Sequence, residues 1–345
     1  MTMQVESIED RLLLVIGPPR SGSTLLMRML SAHSEIYSRP EPHVFAPLAH
    51  LGYFETVEKA PFDQFQAAEA MRAIVEELPA GEDDYLDACR AYVDVVYGRL
   101  LAARGGGKRF FLDKTPANAL VLPFIAKLYP RARYIVLTRH PAAVFSSYAN
   151  SFFDGDYDAA HRFNPILERY VPAMAEFLRA ATVPLVHVGY EQLVAAPETE
   201  MQRVCAFLGL PFEPGMIEYG EQAFAAQGLG DPITVNRETR PVTTSIEKWA
   251  GELAADPAKV IALRAMFDRI DPRDFETWGF VAEDLFAPVE RVARSAHKSL
   301  PRRPITDRFR LERRLLVWLR RDIRTSAFGR LVRRVRTLCD ILLRG

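Results

Sequence analysis

Four short, almost wholly apolar runs punctuate the chain, and stretches with helical spacing of apolar positions fill the distances between them. The runs at 12–16, 110–112, 134–138 and 185–188 are too short for buried helices and consist mostly of branched and aromatic residues, the composition of strands buried on both faces. Apolar residues recur three and four apart over 24–30, 85–103, 119–128, 142–152, 166–180 and 197–208, which predicts helices there. Strands alternating with helices predict an α/β fold, a mostly parallel sheet flanked by helices that takes its ligands at the carboxyl ends of the strands. Gly17, Asp113, Arg139 and Gly189 all stand at such ends. No internal repeat and no low-complexity stretch interrupts the pattern.

Composition adds a division of charge. With 345 residues and 49% hydrophobic content the chain can bury one sizeable core and carry an appendage. Its formal net charge of zero conceals a segregation: residues 285–345 hold 17 Lys and Arg against 5 Asp and Glu, and the remainder holds 27 against 39. We therefore expect a catalytic domain over 1–284 and a C-terminal helical extension over 285–345. In that extension Arg313, Arg314, Arg320, Arg321, Arg324, Arg333 and Arg334 interleave with Leu315, Leu316, Trp318, Leu319, Phe328 and Leu331, the pattern of basic amphipathic helices. Such helices suit an anionic membrane surface, an acidic protein partner, or the acidic body of this chain or a second copy. Cys89, Cys205 and Cys339 are odd in number and widely spaced, which suits neither a disulfide framework nor a zinc site. No apolar run approaches the roughly 18 residues a membrane span needs, and residues 1–10 hold no apolar core of signal length. A reducing, cytoplasmic setting, peripheral to a membrane at most, is the expectation, with no nucleic-acid partner.

The candidate chemistry begins in the turn after the first strand. Gly17-Pro18-Pro19-Arg20-Ser21-Gly22-Ser23-Thr24 has the frame of a phosphate-binding loop, G-x-x-x-x-G-K-[ST], with Ser23 where the lysine would stand. Backbone N–H groups and the following helix N-terminus would cradle an anion. Loss of the lysine that reaches the β- and γ-phosphates argues against transfer of a γ-phosphate, and Arg20 is then the nearest cation. After the third strand, Arg139 can fork onto a second phosphate while Ser147, two turns into the next helix, adds a hydroxyl. A kinase would want an acidic magnesium ligand near that position.

Residues 19–26 resemble the 5′-phosphosulfate loop of sulfotransferases that use 3′-phosphoadenosine 5′-phosphosulfate (PAPS), and residues 133–147 resemble the 3′-phosphate element of the same family. The likeness spans about residues 11–280 and is of the bacterial type. It implies a P-loop nucleotide-binding fold, sulfuryl transfer from PAPS to a hydroxyl acceptor with 3′,5′-diphosphoadenosine (PAP) as product, and no metal. It assigns Pro19, Arg20, Ser21, Gly22, Ser23 and Thr24 to the 5′-phosphosulfate, and Arg139 and Ser147 to the 3′-phosphate. Tyr190, in a Tyr-Glu-Gln-Leu segment similar to the family's Tyr-Glu-Asp-Leu element, would lie against the adenine. Arg240, and less directly Arg237, falls where family members carry a cofactor-covering loop with a Trp after it, here Trp249.

Lys114 in Asp113-Lys114-Thr115-Pro116 resembles the family's Lys-Thr element, and Pro116 occupies the place where cytosolic members carry a catalytic His. The base must then come from Ser38-Arg39-Pro40-Glu41-Pro42-His43, similar to a segment of bacterial and protein-tyrosine sulfotransferases that supplies a catalytic Glu. Glu41 is the first candidate and His43 the second. An imidazole has a suitable ordinary pKa, whereas a carboxyl group would need raising by burial. Catalytic roles thus fall to Glu41 or His43 with Lys114 and Arg20. Phe45, Phe54, Phe152, Phe153 and Phe224 either fill the ordinary core or line an apolar acceptor site, and the acceptor itself is expected to be a small-molecule, lipid or carrier-bound hydroxyl. Two other functions compete: a nucleotide kinase-like phosphotransferase with an aberrant loop, and a non-catalytic nucleotide-dependent scaffold.

Overall fold

The computed structural model describes residues 6–57, 63–221, 239–243 and 246–295. Phe224, Arg237 and the chain beyond 295 lie outside the described residues. Five strands, β1 (Leu12–Ile16), β2 (Ile36–Pro40), β3 (Phe110–Lys114), β4 (Arg133–Thr138) and β5 (Leu185–Gly189), form one sheet in the order β2-β3-β1-β4-β5. Every neighbouring pair is parallel. All five residues of β1 are buried, because a central parallel strand is covered on both faces.

The helices are α1 (Ser23–Ser31), α2 (Phe45–Ala49), α3 (Gln64–Glu77), α4 (Glu82–Arg104), α5 (Leu122–Leu128), α6 (Pro141–Phe152), α7 (Tyr157–Phe163), α8 (Ile166–Ala180), α9 (Tyr190–Ala195), α10 (Pro197–Leu208), α11 (Lys248–Ala254), α12 (Pro257–Phe267), α13 (Pro272–Thr277) and α14 (Ala287–Ser295). Alternate residues of each strand feed two cores. Leu13, Val15, Leu112, Ile135 and Leu137 pack with α1, α9 and α10. Leu12, Leu14, Ile16, Phe111, Tyr134 and Val136 pack with the remaining helices, including α4, α5, α6 and α8. The expected α/β fold with a mostly parallel, helix-flanked sheet is what the chain adopts.

The differences have local causes. β2 was not among the expected strands: Ile-Tyr-Ser-Arg-Pro carries little apolar signal, and an edge strand buries less and tolerates a terminal Pro. The helix expected over 119–128 is a 3₁₀ turn at Pro116–Leu120 followed by α5. Pro123 forces the break, since proline fits the first turn of a helix and not its interior. Beyond residue 284, Leu285, Phe286 and Val289 are buried in the larger core and α14 packs on α11. Among the described residues no helix is long and apolar enough to cross a membrane.

Candidate active site

The strand register delivers the ends of β2, β3, β1, β4 and β5 to one edge of the sheet. Pro40 pairs with Lys114, Leu14 with Asp113, Ile16 with Val136 and Thr138 with Gly189. Strand order changes direction at β1, where parallel sheets bind ligands.

The loop after β1 is a tight turn into α1. A Cβ on Gly17 would stand 2.8 Å from Ser21 Oγ and 3.1 Å from the Leu137 carbonyl oxygen. Gly22, the N-cap of α1, has φ 93°, and a Cβ there would come within 2.3 Å of the Tyr190 ring, so only glycine fits. Arg20 adopts φ 73° without glycine's freedom, a conformation that costs roughly 1–2 kcal/mol. Pro19 precedes this turn, and Ser23 and Thr24 open α1, whose first turn holds no acidic side chain and no side-chain cap. The first N–H groups of a helix need partners and favour anions. Ser21 is fully buried, and its hydroxyl finds no hydrogen-bond partner among the described residues. The cradle therefore fits a phosphate-like group.

Two arginines border it: Arg20 within the loop and Arg139 in contact with the loop's backbone. Arg139, at the end of β4, donates from Nη1 to the Arg20 carbonyl at 3.0 Å, and its guanidinium carbon lies 4.3 Å from the centre of the Tyr190 ring. Burial holds its pKa below the ordinary arginine value; Tyr190 and Glu191 oppose that shift, and Arg20 adds to it. Arg20 Nε donates to Ser147 Oγ at 3.1 Å, and the Arg20 guanidinium lies 5.9 Å from the Phe152 ring centre. The residues expected on two separate phosphates thus touch one another directly. Tyr190 is buried, packed against Gly22 and beneath Arg139. Arg240 is held on the surface by an ion pair with Glu218 at 3.2 Å, its side chain 62% exposed.

His140 fixes the backbone beyond Arg139. It is the N-cap of α6, with its ring nitrogen Nδ1 accepting from the Ala142 N–H at 3.2 Å, and it stacks on Trp249 with ring centres 4.3 Å apart. Burial, then the Arg139 charge, pushes its pKa down to about 3 against a hydrogen bond to the Leu285 backbone. It is a neutral, fixed cap. The His140 N–H donates to Glu191 at 3.0 Å, and burial pushes that carboxyl group up.

On the other side of β1, the loop after β2 meets β3. Lys114 is buried, and its Nζ donates to Glu41 Oε1 at 2.6 Å. Glu41 Oε2 lies 3.4 Å from His43 Nε2, so one half-exposed carboxylate stands between the buried cation and the imidazole. Glu41 (φ 37°) and His43 (φ 53°) both have left-handed backbones. Three of the five non-glycine residues with positive φ among those described thus fall in the site, where strain of this kind tends to gather. Beneath the loop, Asp113 is fully buried and accepts from Tyr97 Oη at 2.6 Å and Thr115 Oγ1 at 2.8 Å. Burial raises its pKa, and both hydrogen bonds oppose the rise.

The structure brings Glu41, His43 and Lys114 together on one side of the sheet edge and Arg20, Arg139 and Ser147 together at the loop after β1, and it buries Asp113 beneath the first group. Tyr97 and the His140–Trp249 stack carry no signal in the sequence, because each pairs with a residue that only folding brings near, and Thr115 shows there only as part of the Lys-Thr element. Phe45 and Phe153 are core residues and not acceptor lining: Phe45 packs edge-on between Tyr97 and Tyr129, and Phe153 is 3% exposed among Tyr148 and Phe163.

Comparison with known proteins converges on one family. The nodulation protein NoeE of Sinorhizobium fredii is 30% identical over 272 residues, 72% of this chain and 62% of that protein. The chain thus spans somewhat less than two thirds of the length of that relative. Protein-tyrosine sulfotransferase 1 of Danio rerio is 24% identical over 262 residues, 74% of this chain and 70% of that protein. Among solved structures, a sulfotransferase domain from the curacin biosynthetic pathway is 24% identical, with a TM-score of 0.48 over 69% of this chain and 89% of its own. The family model described as the sulfotransferase family matches residues 13–214, from β1 through α10 to the turn beyond it, and the chain belongs to that family.

Proposed function

We propose that the protein transfers the sulfuryl group of PAPS to a hydroxyl acceptor, with Glu41 as the base. One observation carries this reading: the contact of buried Lys114 with Glu41 at the sheet edge that also holds the anion cradle. The donor brings an activated sulfuryl group, and the residues do the rest. Ser21, the N–H groups at the start of α1 and Arg20 hold the 5′-phosphosulfate. Arg139 and Ser147 hold the 3′-phosphate. Glu41 takes the proton of the acceptor hydroxyl as its oxygen bonds to sulfur, and the bond from sulfur to the bridging phosphate oxygen breaks. That oxygen keeps the electron pair, and Lys114 and Arg20 neutralise its charge. His43, against the same carboxylate, is the second choice of base. Tyr190 borders the adenine or, as its contact with Arg139 suggests, props the guanidinium that meets the 3′-phosphate. Arg240 would reach the cofactor only by leaving Glu218.

A magnesium-dependent phosphotransferase is disfavoured by Arg139 at the end of β4, by the missing loop lysine and by Asp113, which spends its oxygens on two buried hydroxyls. The acceptor is a small-molecule, lipid or carrier-bound hydroxyl, a phenol included. Incubation with sulfur-labelled PAPS and a panel of lipids, phenols, glycans and carrier-bound alcohols tests the reading. Label should move to one acceptor class with stoichiometric release of PAP. Tight PAP binding with no transfer to any acceptor would instead favour a nucleotide-dependent scaffold.

The basic segment that ends the chain is proposed to attach the enzyme to an anionic membrane or an acidic protein, which would place the enzyme in the cytoplasm at a membrane periphery. Because Leu285, Phe286 and Val289 belong to the core, the informative truncation is after Ser295. The shortened protein should stay soluble and bind PAP but no longer sediment with anionic vesicles at low salt. A truncation that is insoluble, or a full-length protein indifferent to vesicles and low salt alike, would mark the segment as structural.

A further inference from the structure

We propose that Asp113 and Thr115 are positioning residues that hold Glu41 against Lys114, an inference that rests on the sulfotransferase reading above. The loop 41–44 is pinned at three places. At its start, Pro40 is in register with Lys114 across the β2–β3 pair. At its end, Phe45 is fully buried, with its ring 5.9 Å from that of Tyr97. Between them the His43 N–H donates to Thr115 Oγ1 at 3.4 Å.

A threonine hydroxyl has one hydrogen and two acceptor sites, and it rotates to suit its partners. Here the hydrogen is committed to Asp113 Oδ1 at 2.8 Å, which leaves the lone pairs to the His43 amide. Asp113 is itself immobile, because Tyr97 Oη holds its other oxygen at 2.6 Å and the Tyr97 ring stacks on Phe111 with centres 4.3 Å apart. A line of hydrogen bonds thus runs from α4 through the end of β3 to the loop. It ends on a backbone that Glu41 and His43 hold in left-handed conformations, which surrounding contacts must over-determine if they are to persist. Released from Thr115, the loop can relax and carry the Glu41 carboxylate off Lys114. The acceptor's proton and the departing oxygen would then face groups no longer aligned with them.

Thr115→Val keeps the branched shape and deletes the hydroxyl. It should lower turnover about tenfold, read as PAP released from PAPS with a phenol as probe acceptor, leave PAP affinity within twofold, and speed amide hydrogen exchange over residues 41–45. Thr115→Ser, which retains the hydroxyl, should restore turnover and exchange alike. Tyr97→Phe, one step further back, should move both readouts in the same direction by less. Wild-type exchange over 41–45 in the Thr115→Val protein overturns the proposal, whatever turnover does; so does faster exchange with unchanged turnover of the phenol. The exchange readout needs no acceptor, so it decides even where the phenol is not turned over. Failure of the wild-type protein to bind PAP would instead sink the parent reading.

Discussion

Replacing Glu41 with Gln should lower turnover about 10²- to 10⁴-fold while leaving PAP affinity unchanged, the loss expected when a general base is removed. Glutamine has the same length, and its carbonyl can still accept from Lys114 Nζ, which meets Glu41 Oε1 at 2.6 Å. The lysine therefore keeps a hydrogen-bond partner, and the variant loses the carboxylate's charge together with its capacity to take a proton. Truncation to alanine would confuse that loss with a buried lysine left unpaired. Steady-state rates with the acceptor found in the panel, beside calorimetry with PAP, separate the effects. His43 lies 3.4 Å from the other carboxylate oxygen and is the control. A Glu41→Gln protein of normal rate beside an inactive His43→Ala protein would reverse the two roles.

Arg139→Ala should weaken PAP by about 1.5–3 kcal/mol and leave AMP nearly unaffected, as for loss of a charged hydrogen bond. PAP and AMP share the 5′ group and differ at the 3′-phosphate, so the difference between them isolates the contact. The guanidinium is preset by the Arg20 carbonyl at 3.0 Å and by the Tyr190 ring at 4.3 Å, which leaves little reorganisation on binding. Arg139→Lys should recover only part of the loss, because an ammonium cannot make the forked contact. The Arg20 carbonyl loses the Arg139 guanidinium in either variant, so melting temperatures must accompany the titrations. Equal affinity of the wild-type protein for PAP and ADP would end the assignment of the 3′-phosphate site.

The parts of this site that the sequence exposes are those whose function is local. A glycine-bounded turn between an apolar strand and an amphipathic helix shows the frame of a phosphate-binding loop within eight residues, and the absent lysine argues against a γ-phosphate. Arg139 and Ser147 stand eight residues apart across a strand end and the next helix, as in the family element that residues 133–147 resemble. β2 and the break before α5 were lost because edge strands and proline-started turns carry little periodicity. Phe45 and Phe153 look the same in sequence whether they line a cavity or fill a core, and only their burial separates the two.

The sequence by itself determined the alternation of strands and helices and the segregation of charge, which are patterns along the chain, and it offered two motifs expected to bind phosphate and a pair of candidate bases, each written within a few consecutive residues. Only the tertiary structure decided that Arg20 joins Ser147 to Arg139, that Lys114 lies on Glu41, and that Asp113 faces Tyr97 and not solvent. Those contacts span 127, 119, 73 and 16 positions of chain. The physical reason is strand register: Pro40 beside Lys114, Leu14 beside Asp113 and Ile16 beside Val136 bring distant side chains to one sheet edge. Register follows from how two cores fill around the sheet, which no short stretch of residues encodes.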